Sequence, residues 1–221
     1  MCGIFGSNNI ETFRELYIKN TERGNFVRSI TKLFPAGTRN NIRVETNYEQ
    51  DLGKHIHENP FCMYYLGHLQ SPTSKVRDFN KTTSHPFNLN NQYLAHNGVL
   101  ENDRDLIEEY NLEGYNDVDS SVILPLIEKI GFEDAISSLQ GTFSCWYYNS
   151  NTGSLRIFRS GSTLFSNGGD FSSIQPETDH ERVNSLGYKY INEGSILEYN
   201  FTSNTFKEVN QFELNKTPFF L

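Results

Sequence analysis

The chain has 221 residues, with 19 lysines and arginines against 27 aspartates and glutamates and a formal net charge of −8. This length suits one large domain with a buried core, which we expect to span residues 1–221, while the acidic balance argues against direct nucleic-acid binding. No apolar stretch approaches the roughly 20 residues that span a bilayer, and the N-terminus lacks the features of a signal peptide, so we expect a cytoplasmic protein without membrane contact.

The predicted elements are mainly short strands bounded by Gly, Asn or Ser. In chain order, the strands are predicted at residues 4–5, 61–66, 93–95, 143–148, 155–158 and 195–199. Amphipathic periodicity predicts helices at residues 11–20, 103–110 and 120–130, the last continuing toward a second piece that ends near residue 139. Polar stretches at residues 38–59 and 75–90 are predicted to be long loops. Strands, then helices, then strands indicate an α+β layered fold of mostly antiparallel sheet.

Cys2 is the candidate nucleophile. Removal of the initiator Met, which is common before a small residue, would leave a thiol and a free α-amine on the same residue. The α-amine has an unperturbed pKa of about 7.7 to 8.0 and can relay the thiol proton, so no separate catalytic histidine is needed. Gly3 permits close approach of other backbone, while Ile4 and Phe5 can fix the first strand in the core. From this hexapeptide alone, a buried and inert cysteine is an equally good interpretation.

A second candidate feature is the pair Asn97 and Gly98, which follows a β-type run. An Asn side-chain amide beside a Gly backbone N–H offers two donors that can converge on the oxyanion of a tetrahedral intermediate. Taken alone, the same pair also fits an ordinary hairpin turn.

The segments MCGIFG at the N-terminus and AHNGVLEN near the middle together resemble the class II glutamine amidotransferases, whose glutaminase domain belongs to the N-terminal nucleophile hydrolases. Arg23-Gly24, the segment GHLQSPT, the segment SHPF at residues 84–87 and Asp119 follow in the family's order, so the resemblance covers at least residues 2–130. It implies a four-layer αββα sandwich of two mostly antiparallel sheets, with the nucleophile at the start of a central strand. It also implies a glutamyl thioester intermediate and release of ammonia.

The resemblance also implies roles for single residues. Cys2 becomes the nucleophile with its own amine as base, Asn97 and Gly98 the oxyanion hole, and Asp119 the anchor of the substrate α-ammonium group. Without the family context, Asp119 would be interpreted as a helix N-cap.

Other family positions line the substrate pocket. Thr73 matches a position that helps to hold the substrate α-carboxylate, and His68 and Arg23 match positions that support the surroundings of the nucleophile. Gln70 departs from the family, which usually has an Arg there to grip the α-carboxylate. The neutral carboxamide of Gln70 therefore replaces a charged guanidinium group, which can donate two parallel hydrogen bonds to a carboxylate.

Three explanations of this departure remain open. Another cation, such as Arg28, Lys75 or Arg77, could substitute from a loop. Alternatively, the substrate amide lacks a free α-carboxylate, or the site has decayed.

The remaining candidates have simpler interpretations. Three widely spaced cysteines argue against a disulfide framework, and the apolar surroundings of Cys62 and Cys145 predict core positions with a raised thiol pKa. His55, His57 and Cys62 lack a common zinc spacing, so we expect no metal and no cofactor. Residues 160–170, SGSTLFSNGGD, lack the lysine of a phosphate-binding loop and are predicted to form a hairpin with irregular turns.

The functional hypothesis is a stand-alone glutaminase that hydrolyses glutamine through a Cys2 thioester and releases ammonia for a separate synthase or acceptor-modifying protein. Two alternatives remain: an amidase of the same superfamily that acts on a γ-glutamyl or other amide, and a catalytically silent regulatory module. Retention of Met1 would block the α-amine and favour the silent module.

Overall fold

The computed structural model describes residues 2–24, 26–35, 42–47, 56–71, 80, 82–113, 118–175 and 187–214. The strands are β1 (Gly3–Ser7), β2 (Val27–Leu33), β3 (Ile42–Asn47), β4 (Tyr64–Gln70), β5 (Phe87–Leu89), β6 (Gln92–Leu100), β7 (Gly141–Asn149), β8 (Ser154–Ser160), β9 (Phe165–Ser166), β10 (Phe171–Ser172), β11 (Lys189–Tyr190), β12 (Ser195–Asn200) and β13 (Thr205–Gln211). The helices are α1 (Ile10–Asn20), α2 (Asp103–Tyr110), α3 (Ile123–Ile130) and α4 (Phe132–Ser138), with a 3₁₀ helix at Asp119–Val122 before α3.

The strands form two sheets. The first has the order β11-β9-β10-β1-β4-β2-β3, and the second has the order β13-β12-β8-β7-β6-β5. The neighbouring strands in both sheets pair antiparallel. β1, which follows Cys2, therefore lies inside the first sheet with β10 on one side and β4 on the other.

The two sheets pack face to face. Ile4 and Leu66 of the first sheet share a buried apolar cluster with Ala95 and Trp146 of the second. The indole N–H of Trp146 also donates a hydrogen bond to the carbonyl oxygen of Gly67 over 3.2 Å. β1, the strand after Cys2, is thus fixed in the first sheet, because its inner face is part of the common core of the two sheets.

Helices cover the two outer faces. Phe13 and Leu16 of α1 pack with Phe5 on the outer face of the first sheet. On the second sheet, residues of α3 and α4 such as Leu126 and Ala135 pack in one cluster with strand residues. The order of layers is helix, sheet, sheet, helix, so the predicted α+β sandwich is confirmed.

Local sequence explains where the helices begin and end. The side chain of Asn9 caps α1 by accepting hydrogen bonds from the backbone N–H groups of Glu11 and Thr12 at 2.9 and 3.0 Å. Pro125 lies in the first turn of α3, where its missing N–H costs no helical hydrogen bond. Gly131, with φ of +89°, separates α3 from α4. Within the described ranges, no helix combines the length and apolar character needed to cross a membrane.

Some predicted boundaries are wrong. The strand predicted from residue 61 begins at Tyr64 instead, because the side chain of Asn59 accepts a hydrogen bond from the Phe61 N–H and holds a turn. The predicted loop at residues 38–59 contains β3, and the predicted loop at residues 75–90 contains β5. The helix predicted at residues 120–130 begins as a 3₁₀ helix before α3. Residues 160–170 do lead into the predicted hairpin, formed by β9 and β10.

Candidate active site

Cys2 lies immediately before β1 and is half-buried. Its thiol donates to the carbonyl oxygen of Ser71 with a sulfur–oxygen distance of 3.6 Å. Gly3 pairs with Leu69 on β4, so continuing this register by one residue places Cys2 opposite Gln70. The candidate nucleophile and Gln70 are therefore cross-strand neighbours.

A buried polar network fixes the backbone behind Cys2. Ser173 accepts a hydrogen bond from the Ile4 N–H and donates one to the side-chain oxygen of Asn20, both at 3.0 Å. Asn20 in turn donates to the hydroxyl of Ser172 at 3.0 Å. A side chain on Gly3 would place Cβ 2.9 Å from Asn20, so the predicted need for a close approach at Gly3 has a structural reason.

Arg23 and Gly24 lie beside this strand. A Cβ on Gly24 would lie 2.7 Å from the backbone of Gln70 and Ser71, so the residue allows a tight crossing at the end of β4. Burial lowers the pKa of the Arg23 guanidinium, and the charge of the Cys2 thiolate opposes that shift. The Arg23 cation therefore interacts electrostatically with Cys2, and this interaction favours the thiolate form.

Asn97 is fully buried on β6. Its Nδ2 lies 3.1 Å from the hydroxyl of Ser144 and 2.9 Å from that of Ser162, while its Oδ1 has no hydrogen-bond partner in the described part of the chain. Hydroxyl groups both donate and accept, so the two serines can also hold the amide turned by 180°. The turned amide leaves its NH₂ group at the unpartnered position, as an oxyanion donor requires.

Gly98 cannot be replaced without strain. Its φ is +148°, and a Cβ would lie 1.9 Å from the carbonyl oxygen of Thr142 on β7. The glycine is therefore needed for the close contact of β6 with β7 next to Asn97.

Three buried histidines, His68, His85 and His96, lie near the Asn97–Gly98 pair. The Nε2 of His68 lies 3.2 Å from the carbonyl oxygen of His96, and the ring centroids of His68 and His85 are 4.3 Å apart. Desolvation lowers the pKa of His68 to about 3 and also lowers the pKa of His96, although the charge of Asp119 opposes the shift of His96. His68 is therefore neutral at physiological pH and is a poor general base.

Asp119 is the first residue of the 3₁₀ helix, and Val118 is the cap residue. One carboxylate oxygen of Asp119 accepts a hydrogen bond from the backbone N–H of Ser120 in this helix, and the other accepts one from the backbone N–H of Leu100 at the end of β6, both at 2.8 Å. The neighbouring Ser120 hydroxyl contacts Nε2 of His85 at 2.9 Å. Asp119 thus joins the end of β6 to the helical layer, close to the Asn97–Gly98 pair.

Gln70 presents an acceptor where a donor was expected. The side chain is buried, and its NH₂ group donates to the carbonyl oxygen of Thr83 at 3.4 Å. This contact uses the NH₂ group, and Oε1 has no hydrogen-bond partner within the described ranges. The buried hydroxyl of Ser84 also lacks one among the described residues. Thr73, Lys75 and Arg77 lie outside the described residues.

The other two cysteines have raised thiol pKa values, although Cys145 on β7 lies opposite His96 on β6. Cys145 is fully buried, and desolvation raises its pKa well above the usual range. Desolvation also raises the pKa of Cys62 to about 11. The predicted raised pKa values of both thiols are confirmed.

Sequence reasoning missed three hydroxyl residues of the site: Ser144, Ser162 and Thr163. Ser144 and Ser162 contact Asn97, and Thr163 contacts Arg23. Ser162 and Thr163 belong to the segment SGST, and its density of hydroxyl groups was the available signal. The sequence does not indicate which distant residues these hydroxyls reach.

Comparisons with known proteins agree with this arrangement. Residues 77–164 match the family model described as glutamine amidotransferase domain. One similar solved structure is glutamine phosphoribosylpyrophosphate amidotransferase from B. subtilis, complexed with ADP and GMP, at a TM-score of 0.69 and 18% identity. Another is described as the allosteric regulatory enzyme of purine biosynthesis, at a TM-score of 0.67 and 19% identity. No curated protein sequence matches the chain.

The extent of these matches is uneven. The alignments cover 95% and 97% of this chain but only 49% and 50% of the two solved chains, so this chain spans about half their length. At these identities the structural likeness establishes the fold alone, which is the αββα sandwich. Together with the family match over residues 77–164, it confirms the resemblance to a class II glutamine amidotransferase domain.

Proposed function

We propose that this domain is an N-terminal cysteine amidohydrolase that removes the side-chain amide nitrogen of glutamine through a Cys2 thioester. The main support is that Cys2 lies at the start of an internal strand, where the Arg23 cation favours its thiolate. The buried Asn97–Gly98 pair on the facing sheet supplies candidate oxyanion donors.

The proposed reaction begins after removal of Met1. The free α-amine of Cys2 accepts the thiol proton, and the sulfur attacks the amide carbon. The amide group of Asn97 and the N–H of Gly98 stabilise the tetrahedral oxyanion. As the carbon–nitrogen bond breaks, the protonated amine gives its proton to the leaving ammonia. A water molecule then loses a proton to the same amine, attacks the thioester and releases glutamate.

The α-amine is a better base for this step than the buried histidines. Desolvation lowers the pKa of His68 to about 3 and lowers that of His96, whereas an unperturbed α-amine has a pKa of about 7.7 to 8.0. A base with a pKa near the working pH transfers protons most effectively. His68 then acts by joining the sheets, which supports the nucleophile without reacting.

Substrate anchoring is assigned to Asp119 and Thr73. One oxygen of Asp119 holds the Leu100 N–H, and the carboxylate can attract a substrate ammonium group by its charge. Thr73 is retained as a substrate-binding proposal from the resemblance. The released ammonia would pass to a separate synthase or acceptor-modifying protein.

Covalent labelling tests this function. A glutamine analogue with a diazoketone in place of the carboxamide should alkylate Cys2, and excess glutamine should slow the reaction. Peptide mass spectrometry would locate the adduct. Labelling confined to Cys62 or Cys145, or labelling of Cys2 that glutamine does not slow, would contradict the proposal.

A second candidate, an amidase for amides without a free α-carboxylate, is favoured by one observation. Among the described residues, the polar atom of Gln70 without a hydrogen-bond partner is the acceptor Oε1, which repels a carboxylate and suits an N–H group. The comparison of kcat/KM for glutamine and for glutaminamide separates the candidates. A clear preference for glutaminamide would replace glutamine as the substrate while leaving the Cys2 mechanism intact.

A further inference from the structure

The short loop after β8, residues 160–163, contacts both halves of the candidate site. We call it the site loop. The hydroxyl of Ser162 lies 2.9 Å from Nδ2 of Asn97 on the second sheet. The hydroxyl of Thr163 lies 2.6 Å from Nη2 of Arg23, which follows α1. Adjacent residues of one loop therefore touch the candidate oxyanion amide and Arg23. The backbone N–H of Arg23 donates to the carbonyl oxygen of Asn20 at 3.0 Å, and the Asn20 side chain packs against Gly3, the residue after Cys2.

We propose that the site loop is a positioning element, in which Thr163 holds the Arg23 cation in place and Ser162 holds the Asn97 amide in place. The Ser162 part rests on the proposed amidohydrolase function. The Thr163 part concerns the acidity of the Cys2 thiol and is measurable without turnover.

The hydrogen bonds of Thr163 fix the direction of its contact with Arg23. The hydroxyl donates its hydrogen to the carbonyl oxygen of Ser173 at 2.6 Å, so it meets the guanidinium as an acceptor. Ser173 itself holds the backbone N–H of Ile4 at 3.0 Å. Thr163 thus ties Arg23 to the same network that fixes the strand of the nucleophile.

Ser162 acts on the second half of the site together with Ser144. The two hydroxyl oxygens are 3.4 Å apart, and both contact the Asn97 amide nitrogen. Two hydroxyls can donate to an amide oxygen turned toward them, which leaves the amide NH₂ group available to an oxyanion. Removal of one hydroxyl loosens the position of the Asn97 amide, because the remaining hydroxyl alone has to hold it.

An ion pair between a buried arginine and an exposed glutamate holds the site loop itself. Arg159, which is 2% exposed, donates to the carbonyl oxygen of Ser162 at 2.7 Å and to the carboxylate of Glu193 at 2.8 Å. The same carboxylate accepts the backbone N–H of Gly161 at 3.2 Å. The guanidinium also lies 4.1 Å from the ring of Tyr190. These contacts fix the loop backbone, so its hydroxyls have defined positions.

The first test measures the acidity of the Cys2 thiol. The rate of alkylation of Cys2 by iodoacetamide is followed against pH in the processed protein, with adducts assigned by peptide mass spectrometry. The raised pKa values of Cys62, to about 11, and of Cys145 keep them slow in the neutral range. Thr163→Val should move the midpoint of the profile up by about one pH unit, because the cation is no longer held beside the thiolate. Thr163→Ser should restore it.

Arg23→Gln is a second variant for the same measurement, and it keeps the proposal testable if Thr163→Val does not fold. It should raise the same midpoint, and the double variant should show no further rise, because both changes act through one cation. Coincident profiles for the wild type and Arg23→Gln would overturn the Thr163 part. Additive shifts in the double variant would also overturn it.

The second test measures turnover. Ser162→Ala should lower kcat by up to about 100-fold with KM changed less than about twofold, because misorientation affects the transition state more than substrate binding. Ser162→Thr, which keeps the hydroxyl, should recover most of the rate. Thr152→Val is a matched control, since the Thr152 hydroxyl hydrogen-bonds, within the described part of the chain, to backbone groups in the turn between β7 and β8 and to no site residue.

The outcomes separate this inference from the proposed function. An inactive wild type would contradict the proposed function while the alkylation profiles still test the Thr163 part. An active wild type with unchanged kcat in Ser162→Ala would overturn the Ser162 part alone. A rise in KM with constant kcat would overturn it as well.

Discussion

The imidazole Nε2 of His68 donates a hydrogen bond to the backbone carbonyl oxygen of His96 over 3.2 Å, and this contact joins the two sheets. His68 pairs with Ile4, two residues after the candidate nucleophile. The contact requires a proton on Nε2, so Nδ1 of the neutral ring carries a lone pair. A fully buried histidine of this kind couples folding to pH.

Acid should destabilise the protein partly through His68. Its folded pKa of about 3 lies below the ordinary value of 6.5, so the unfolded chain binds the proton more tightly. The contribution of neutral His68 is therefore complete above the unfolded pKa and is lost as pH falls from about 6.5 toward 3. We expect a loss of about 2 to 3 kcal/mol in the free energy of unfolding between pH 7 and pH 4.5.

Urea unfolding at the two pH values measures this loss. His68→Asn removes the titrating ring and should show a smaller difference between the two pH values than the wild type. An equal difference in both proteins would assign the acid sensitivity to other groups.

Gly98→Ala should destabilise the fold strongly. The new Cβ would lie 1.9 Å from the Thr142 carbonyl oxygen at a φ of +148°, so backbone has to move. Gly153→Ala is the matched control, because Gly153 has a φ of +72° but no atom within 4 Å of the added Cβ. The control should lose about 1 to 2 kcal/mol, and Gly98→Ala should lose more or fail to fold. Equal losses in chemical denaturation would contradict the close-contact argument.

Asn97→Ala should lower kcat by about 100- to 1,000-fold, the usual effect of losing one oxyanion donor. KM should change little, because the donor acts mainly on the transition state. Steady-state release of glutamate provides the measurement. Asn151→Ala, at an exposed turn, is the control for loss of an asparagine side chain. A rise in KM with kcat unchanged would move Asn97 from transition-state stabilisation to substrate binding.

Gln70→Arg should raise the preference for glutamine over glutaminamide by about tenfold or more, because a cation replaces an amide acceptor next to Cys2. The ratio of kcat/KM for the two substrates is the measured quantity. Gln70→Leu, which removes the acceptor without adding charge, should show no comparable gain for glutamine. If the folded Arg variant keeps the wild-type ratio, residue 70 does not contact the substrate carboxyl position.

Local sequence patterns predicted the layered α+β fold, whereas the internal position of the first strand was predicted from the family resemblance. These patterns missed β13, because this edge strand is mostly exposed and only Phe206 within it is buried. The apolar run from residue 61 also gave the wrong start for β4, because Asn59 holds a turn that includes the exposed Phe61. Burial and turn chemistry decide these boundaries, and hydrophobicity alone reports neither.

The candidate site was predictable only where its residues form motifs. Cys2 and the Asn97–Gly98 pair stand out in the sequence, whereas the contact between Arg23 and Thr163 joins residues 140 positions apart. The bond from Asp119 to Leu100 was also not foreseen, because an Asp at a helix start usually serves that helix. Contacts of this kind follow from the packing of two sheets.

The most direct test of the central claim compares glutamate release by the processed wild type, with removal of Met1 verified by intact mass, and by Cys2→Ala. We predict measurable glutamate and ammonia from the wild type, no release above background from Cys2→Ala, and similar thermal unfolding of both proteins. Undiminished glutamate release by a folded Cys2→Ala variant would contradict the assignment of Cys2 as the nucleophile.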